Sequence, residues 1–212
     1  MSLLDGINVL CHSSIRIEKA GLVIYIDPYA IKDNSHDADF ILITHEHYDH
    51  FSLEDIKKII KDDTVILSVP SVIEAVNDEK LDLKKLIAVK PNESYDFNNV
   101  LIETVVAYNR IKPFHQKKKG WVGYIIQIDG MKIYIAGDTD NLGELKEIKC
   151  DVAMVPVGGT YTMNYKEAAD LVNSIHPQYA IPTHYGSIVG TINDAIEFEN
   201  MVDSSIQTKR FI

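Results

Sequence analysis

Cysteine is scarce in this 212-residue chain, with Cys11 and Cys150 the only two. A pair of thiols does not build a disulfide framework, and it leaves no companions for a Cys-rich zinc knuckle. Positive charge is short as well: 21 Lys and Arg stand against 31 Asp and Glu, a net charge of −10. That balance disfavours a protein that coats nucleic acid or anionic membrane, since either needs a basic face. No stretch approaches the ~20 apolar residues of a spanning helix, and Met1–Asp5 show neither the basic region nor the apolar core of a signal peptide. The expectation is a soluble, cytoplasmic chain with no membrane partner. Pro- or Gly-rich linkers and visible repeats are also missing, so residues 1–212 read as one domain, long enough to bury a real core. The 46% hydrophobic and 25% charged content is ordinary for a globular protein.

What is present is concentrated in Thr44-His45-Glu46-His47-Tyr48-Asp49-His50, where three histidines and two acids fall within six residues. The run before it, Phe40-Ile41-Leu42-Ile43, is short, continuous and β-branched-rich, which predicts a buried strand. The segment after it, from Ser52 to Ile60, predicts an amphipathic helix with Ser52 as N-cap and Asp55 in the place of the capping-box Glu. The cluster therefore sits on a strand-to-helix turn. In extended backbone His45 and His47 point to one side, and the turn brings Asp49 and His50 round to a second position. Imidazole and carboxylate together suit zinc, manganese or iron.

The remaining pattern alternates in the same manner. Strands are predicted over 7–11, 14–18, 22–26, 65–67, 86–89, 95–97, 100–107, 121–128, 131–136, 152–157 and 179–181, with hairpin turns at Lys19-Ala20-Gly21 and Asp129-Gly130. Helices are predicted over 71–76, 142–148, 165–175 and 192–201, the third with Asn164 and Glu167 placed as a cap and its partner. Residues 29–38 and 109–119 read as polar loops. Many strands with interspersed helices fit an α/β (α+β) fold of two sheets packed face to face with helices outside.

A metal held by His45 and His47 needs ligands from elsewhere in the chain. Asp138 is the first polar side chain after the strand ending at Ala136, and Gly137 before it lets the backbone turn. His184 likewise follows an apolar strand, Tyr179-Ala180-Ile181, directly.

With these in place, His45-Glu46-His47-Tyr48-Asp49-His50 resembles the His-x-His-x-Asp-His signature of the metallo-β-lactamase superfamily. Gly137-Asp138-Thr139 is similar to its bridging-aspartate motif, and Pro182-Thr183-His184 to its last histidine motif. The stretches Cys11–Ser14, Ile26–Pro28, Gly120–Tyr124 and Tyr161–Met163 resemble the small single-domain branch related to ascorbate-6-phosphate lactonase. The resemblance implies a four-layer αββα sandwich. It also implies one metal on His45 and His47, a second on Asp49, His50 and His184, and Asp138 bridging them. The family places a further histidine at a strand end where this chain has Val106-Ala107-Tyr108-Asn109. Either His115, six residues on, swings in, or Asn109 serves as a poorer ligand, or the first site is weak; imidazole is the better donor for such metals.

The implied enzyme is a metal-dependent hydrolase that turns a metal-activated water on a small ester, lactone or phosphoester. One or two divalent ions would serve it, zinc first with manganese or iron as alternatives. Asp49 would orient the water or accept its proton, and His12 would assist at the pocket. Asp27 either hydrogen-bonds a ligand histidine or merely starts the turn before Pro28. Lys117-Lys118-Lys119 is a solvated run or an attractor for an anionic substrate. Trp121 and Tyr124 read as core. The alternatives are a metal-binding protein of the same fold with little catalysis, or a nuclease or phosphodiesterase. A homo-oligomer is compatible with the sequence.

Overall fold

The computed structural model describes residues 3–81 and 84–212. Backbone packing divides the chain into two compact units, residues 1–89 with 211–212, and residues 90–210.

The first unit carries a six-stranded sheet in sequence order: β1 (Ile7–Cys11), β2 (Ser14–Lys19), β3 (Leu22–Ile26), β4 (Phe40–Ile43), β5 (Val65–Ser68) and β6 (Lys85–Ala88). β1 to β3 form an antiparallel meander, and β3 to β6 run parallel. The alternation in β2 buries Ile15 and Ile17 completely, while Arg16 and Glu18 between and beside them face outward. β4, by contrast, is buried at all four positions, as a central parallel strand covered on both faces requires. The crossovers are α1 (Leu53–Ile59) and α2 (Pro70–Asp78). Ser52 caps α1 by accepting the Asp55 N–H, as the sequence predicts. The Asp55 carboxylate accepts the amides of Ala30 and Ile31 at 2.8 and 3.1 Å, which orders the start of the 29–38 loop.

The second unit repeats this plan with seven strands. Its sheet runs β7 (Ser94–Asp96), β8 (Val100–Val106), β9 (Val122–Ile128), β10 (Met131–Ile135), β11 (Val152–Pro156), β12 (Tyr179–Thr183) and β13 (Gln207–Thr208), again in spatial order. β7 to β10 are antiparallel and β10 to β13 parallel, with α3 (Tyr165–Ile175) and α4 (Ile192–Met201) as crossovers. The β9–β10 turn, Asp129-Gly130, has both residues at positive φ, the geometry that matches strand twist in a two-residue hairpin. The Asn164–Glu167 capping box of α3 is present in full.

Three local expectations change. Residues 142–148 hold only a 3-10 turn over Gly143–Glu147, with Leu145 N and Ile148 N each donating three residues back, and Gly143 is a weak helix former. The 109–119 loop contains a backbone bridge from Asn109 to Gln116 and a 3-10 turn over Lys117–Lys119. β13 is a two-residue edge strand with no apolar pattern to announce it. In both units a parallel ladder ends on one side in loops, and in open sheets of this kind the carboxyl ends of such strands are where ligands bind.

Candidate metal centre

In the first unit, β3 and β4 are parallel neighbours, and the loops leaving their carboxyl ends carry the site residues. Asp27 follows β3 and donates its backbone N–H to Leu42 O, which continues the ladder one step. Its side chain is 1% exposed and accepts three hydrogen bonds: Thr44 N at 2.8 Å, Thr44 Oγ1 at 2.9 Å and His50 Nδ1 at 2.7 Å. Burial pushes the Asp27 carboxyl above the usual aspartate range, and His50 and the Thr44 bonds pull against that rise. Asp27 is thus the partner of a cluster histidine, not a turn residue alone.

These bonds settle ring orientation. An ionised Asp27 only accepts, so Thr44 Oγ1 gives it the hydroxyl proton and receives His45 Nδ1–H at 2.9 Å. His50 gives its Nδ1–H to Asp27. Both rings therefore keep Nε2 as the lone-pair nitrogen. His45 Nε2 faces His47 Nδ1 at 3.1 Å, and the His45 and His50 rings lie 4.1 Å apart. Asp49 Oδ2 lies 3.5 Å from both His50 Nε2 and His12 Nε2. His12, His45, Asp49 and His50 are all buried, and His47 is half-buried. The turn that gathers them is fixed by His50 N and Phe51 N, which both donate to His47 O.

The second unit supplies a smaller set. Asp138 follows β10 through Gly137 (φ +62°), and His184 follows β12. Asp138 Oδ2 lies 3.1 Å from His115 Nε2 and 3.3 Å from His184 Nε2, with all three side chains buried. Close backbone approach makes this possible: a Cβ on Gly158 would stand 2.4 Å from His184 O. The strand end after β8 delivers Asn109 and not a histidine, and the ring that reaches Asp138 is His115 from the loop. Trp121 packs edge-on to that ring at 5.1 Å and is buried, as is Tyr124.

Two features escaped the sequence. His12, Asp27, His115 and His184 all hold positive φ, between 47° and 57°. Such backbone is costly for non-glycine residues and gathers at functional sites. The second is a clamp on the 109–116 loop: Asp140 accepts the Arg110 amide at 2.8 Å and the Lys112 ammonium, which also donates to Thr162 O at 2.8 Å. A Lys-to-Asp spacing of 28 residues gives no local signal. The lysine run is exposed, with Lys117 over the Tyr108 ring at 4.7 Å and Lys119 over Trp121 at 5.6 Å.

Buried imidazoles and carboxylates crowded at 3.1–3.5 Å are expensive unless protons or a cation lie between them. The donor set contains nitrogen and oxygen without thiolate, which fits zinc, manganese or iron. Cys11 and Cys150 are free thiols outside both clusters.

Comparison with known proteins gives the family. Residues 6–184 match the family described as the beta-lactamase superfamily domain. A UPF0173 metal-dependent hydrolase of Caldivirga maquilingensis is 31% identical over 207 residues, covering 92% of this chain and 88% of the relative. A protein of Parabacteroides distasonis, provisionally designated a metal-dependent hydrolase, superposes with a TM-score of 0.84 at 30% identity over 96% of this chain and 91% of its own. Igni18, a metallo hydrolase of Ignicoccus hospitalis, has the same fold, with a TM-score of 0.78 at 24% identity and coverage of 96% and 93%. The chain belongs to the metallo-β-lactamase superfamily, and the two sheets and four α-helices of the described residues are the fold which that membership predicts. Among the described residues no helix is long and apolar enough to cross a membrane.

Proposed function

We propose that this metal-dependent hydrolase of the metallo-β-lactamase superfamily cleaves a small ester, lactone or phosphoester in the cytoplasm. Residues 1–212 serve as one functional domain. His45, His47, Asp49, His50, His115, Asp138 and His184 hold one or two divalent cations, zinc before manganese or iron. The observation that carries the reading is chemical: in the second unit a buried carboxylate oxygen, Asp138 Oδ2, has two imidazole Nε2 atoms within 3.3 Å, and in the first unit the His45 and His50 rings are oriented through Nδ1 by Thr44 and Asp27. Family membership supports the same set.

When bound, the cation supplies Lewis acidity, lowering the pKa of water towards about 7 and polarising the scissile group. The chain's own groups do the rest. Asp27 and Thr44 lock the rings of His45 and His50, so that binding a cation requires no rotamer search. Asp49 orients the attacking water and takes its proton. His12, 3.5 Å from Asp49 Oδ2, steadies that carboxylate and can return a proton to the leaving oxygen. The exposed Lys117–Lys119 run draws an anionic substrate towards the His115 loop.

The test is turnover of a panel of lactones, aryl esters, phosphomonoesters and phosphodiesters by protein of known metal content. Hydrolysis of at least one ester or lactone class, lost in His47→Ala and in chelator-stripped protein, is expected. Cleavage of nucleic acid alone would move the enzyme to the nuclease class, and metal binding without any turnover would leave a binding protein.

A further inference from the structure

The residue at the end of the β8 strand segment, where the family carries a histidine, is Asn109, and its surroundings give it a task. It is 5% exposed. Its backbone N–H donates to His115 O at 2.7 Å, closing the loop between the two residues. Its side-chain Nδ2 donates to Tyr161 O at 2.6 Å and lies 3.2 Å from His115 Nδ1. His115 Nδ1 is itself 3.0 Å from Tyr161 O. A carbonyl oxygen has two lone pairs and can serve both nitrogens at once.

We infer that Asn109 is a positioning residue: it fixes Tyr161 O as the acceptor of His115 Nδ1–H and thereby aims the His115 Nε2 lone pair at the Asp138 side. This rests on the reading of His115 as a ligand. A further fact separates this role from a simple loop staple. His115 holds φ +56°, so the ring needs an outside tether to keep one orientation on strained backbone. The Lys112–Asp140 clamp, with Lys112 also bonded to Thr162 O, secures the middle of the loop.

The test uses the full chain, stripped of metal and titrated with zinc against a chromophoric chelator, then saturated with cobalt(II) for its visible spectrum. Asn109→Ala should weaken zinc binding about 10–100-fold, the usual effect of losing a group that orients a ligand. It should also shift or weaken the cobalt bands at saturation. Asn109→Leu fills the same space without a donor, guarding against simple loss of packing, and should behave alike. His115→Ala serves as reference. Unchanged zinc affinity and an unchanged cobalt spectrum in both Asn109 variants, with His115→Ala weakened, would overturn the positioning role and leave His115 a ligand. Unchanged binding in His115→Ala would overturn the ligand reading, and this inference with it.

Discussion

Replacing Gly158 with alanine should damage the proposed metal centre without altering any of its proposed ligands. Gly158 follows β11, its φ lies outside the left-handed region, and alanine is therefore tolerated by the backbone itself. The obstacle is the neighbour: the added Cβ would meet His184 O at 2.4 Å and Val189 Cγ2 at 3.2 Å. Ordinary carbon–oxygen contacts are about 3.3 Å or longer, so the His184 segment must retreat by roughly 0.9 Å. His184 Nε2 begins 3.3 Å from Asp138 Oδ2, and a shift of that size takes it out of register with the carboxylate. Overpacking of this kind costs about 1–3 kcal/mol of stability. A ligand set loosened by about 1 Å binds poorly, and a loss of about 10–100-fold in zinc affinity is expected. Gly143→Ala is the control, since its nearest foreign atom is Arg110 Nη2 at 3.8 Å. Thermal unfolding of the metal-free proteins and zinc competition on the same samples would measure both effects. Wild-type affinity in Gly158→Ala would refute the argument that backbone approach places His184.

Other consequences follow from the same geometry. Asp27→Asn replaces one of two accepting oxygens by a donor, although three groups now donate to that carboxylate; chemical denaturation should show a loss of about 1–3 kcal/mol, and an unchanged midpoint would argue against the network. Burial pushes the Cys150 thiol up to about 12, so in a Cys11→Ser background its labelling by a disulfide reagent at pH 8 should be more than about 100-fold slower than that of free cysteine. Rapid labelling of the folded chain would contradict it. Lys146 and Asn141 hold the Asp170 carboxyl below the usual aspartate range. A lowered acid stabilises the fold above its unfolded pKa of about 3.9 and loses that contribution as pH falls through the folded value. Asp170→Asn should therefore be less stable than wild type by up to about 1 kcal/mol at pH 7, the gap closing as the carboxylate is protonated in acid; an unchanging gap would exclude the ion pair as its source.

The first cluster was legible because its chemistry is local. His45, His47, Asp49 and His50 lie within one turn, and the strand before and the capped helix after fix where that turn falls. Asp138 and His184 were legible for a related reason, each standing directly after an apolar strand. What stayed hidden depends on contacts distant in sequence. Asn109 could be seen only as a departure from the family pattern, because its partner Tyr161 O is 52 residues away. Thr44 carries no local signal of its role, yet its hydroxyl joins Asp27, 17 residues away, to His45. The Lys112–Asp140 clamp and the β13 edge strand belong to the same class, for neither leaves a periodic trace. Left-handed backbone at His12, Asp27, His115 and His184 is equally silent, since no glycine marks it.

The proposed function requires that the buried imidazoles and carboxylates of residues 45–50, and those around Asp138, bind a divalent cation. Elemental analysis of protein purified without a metal-affinity step addresses it most directly, run beside His47→Ala and Asp138→Ala. Stoichiometric zinc, manganese or iron is expected in the wild type, with a marked fall in each variant. A wild-type chain that stays metal-free even after dialysis against these ions, or variants that retain a full complement, would contradict it.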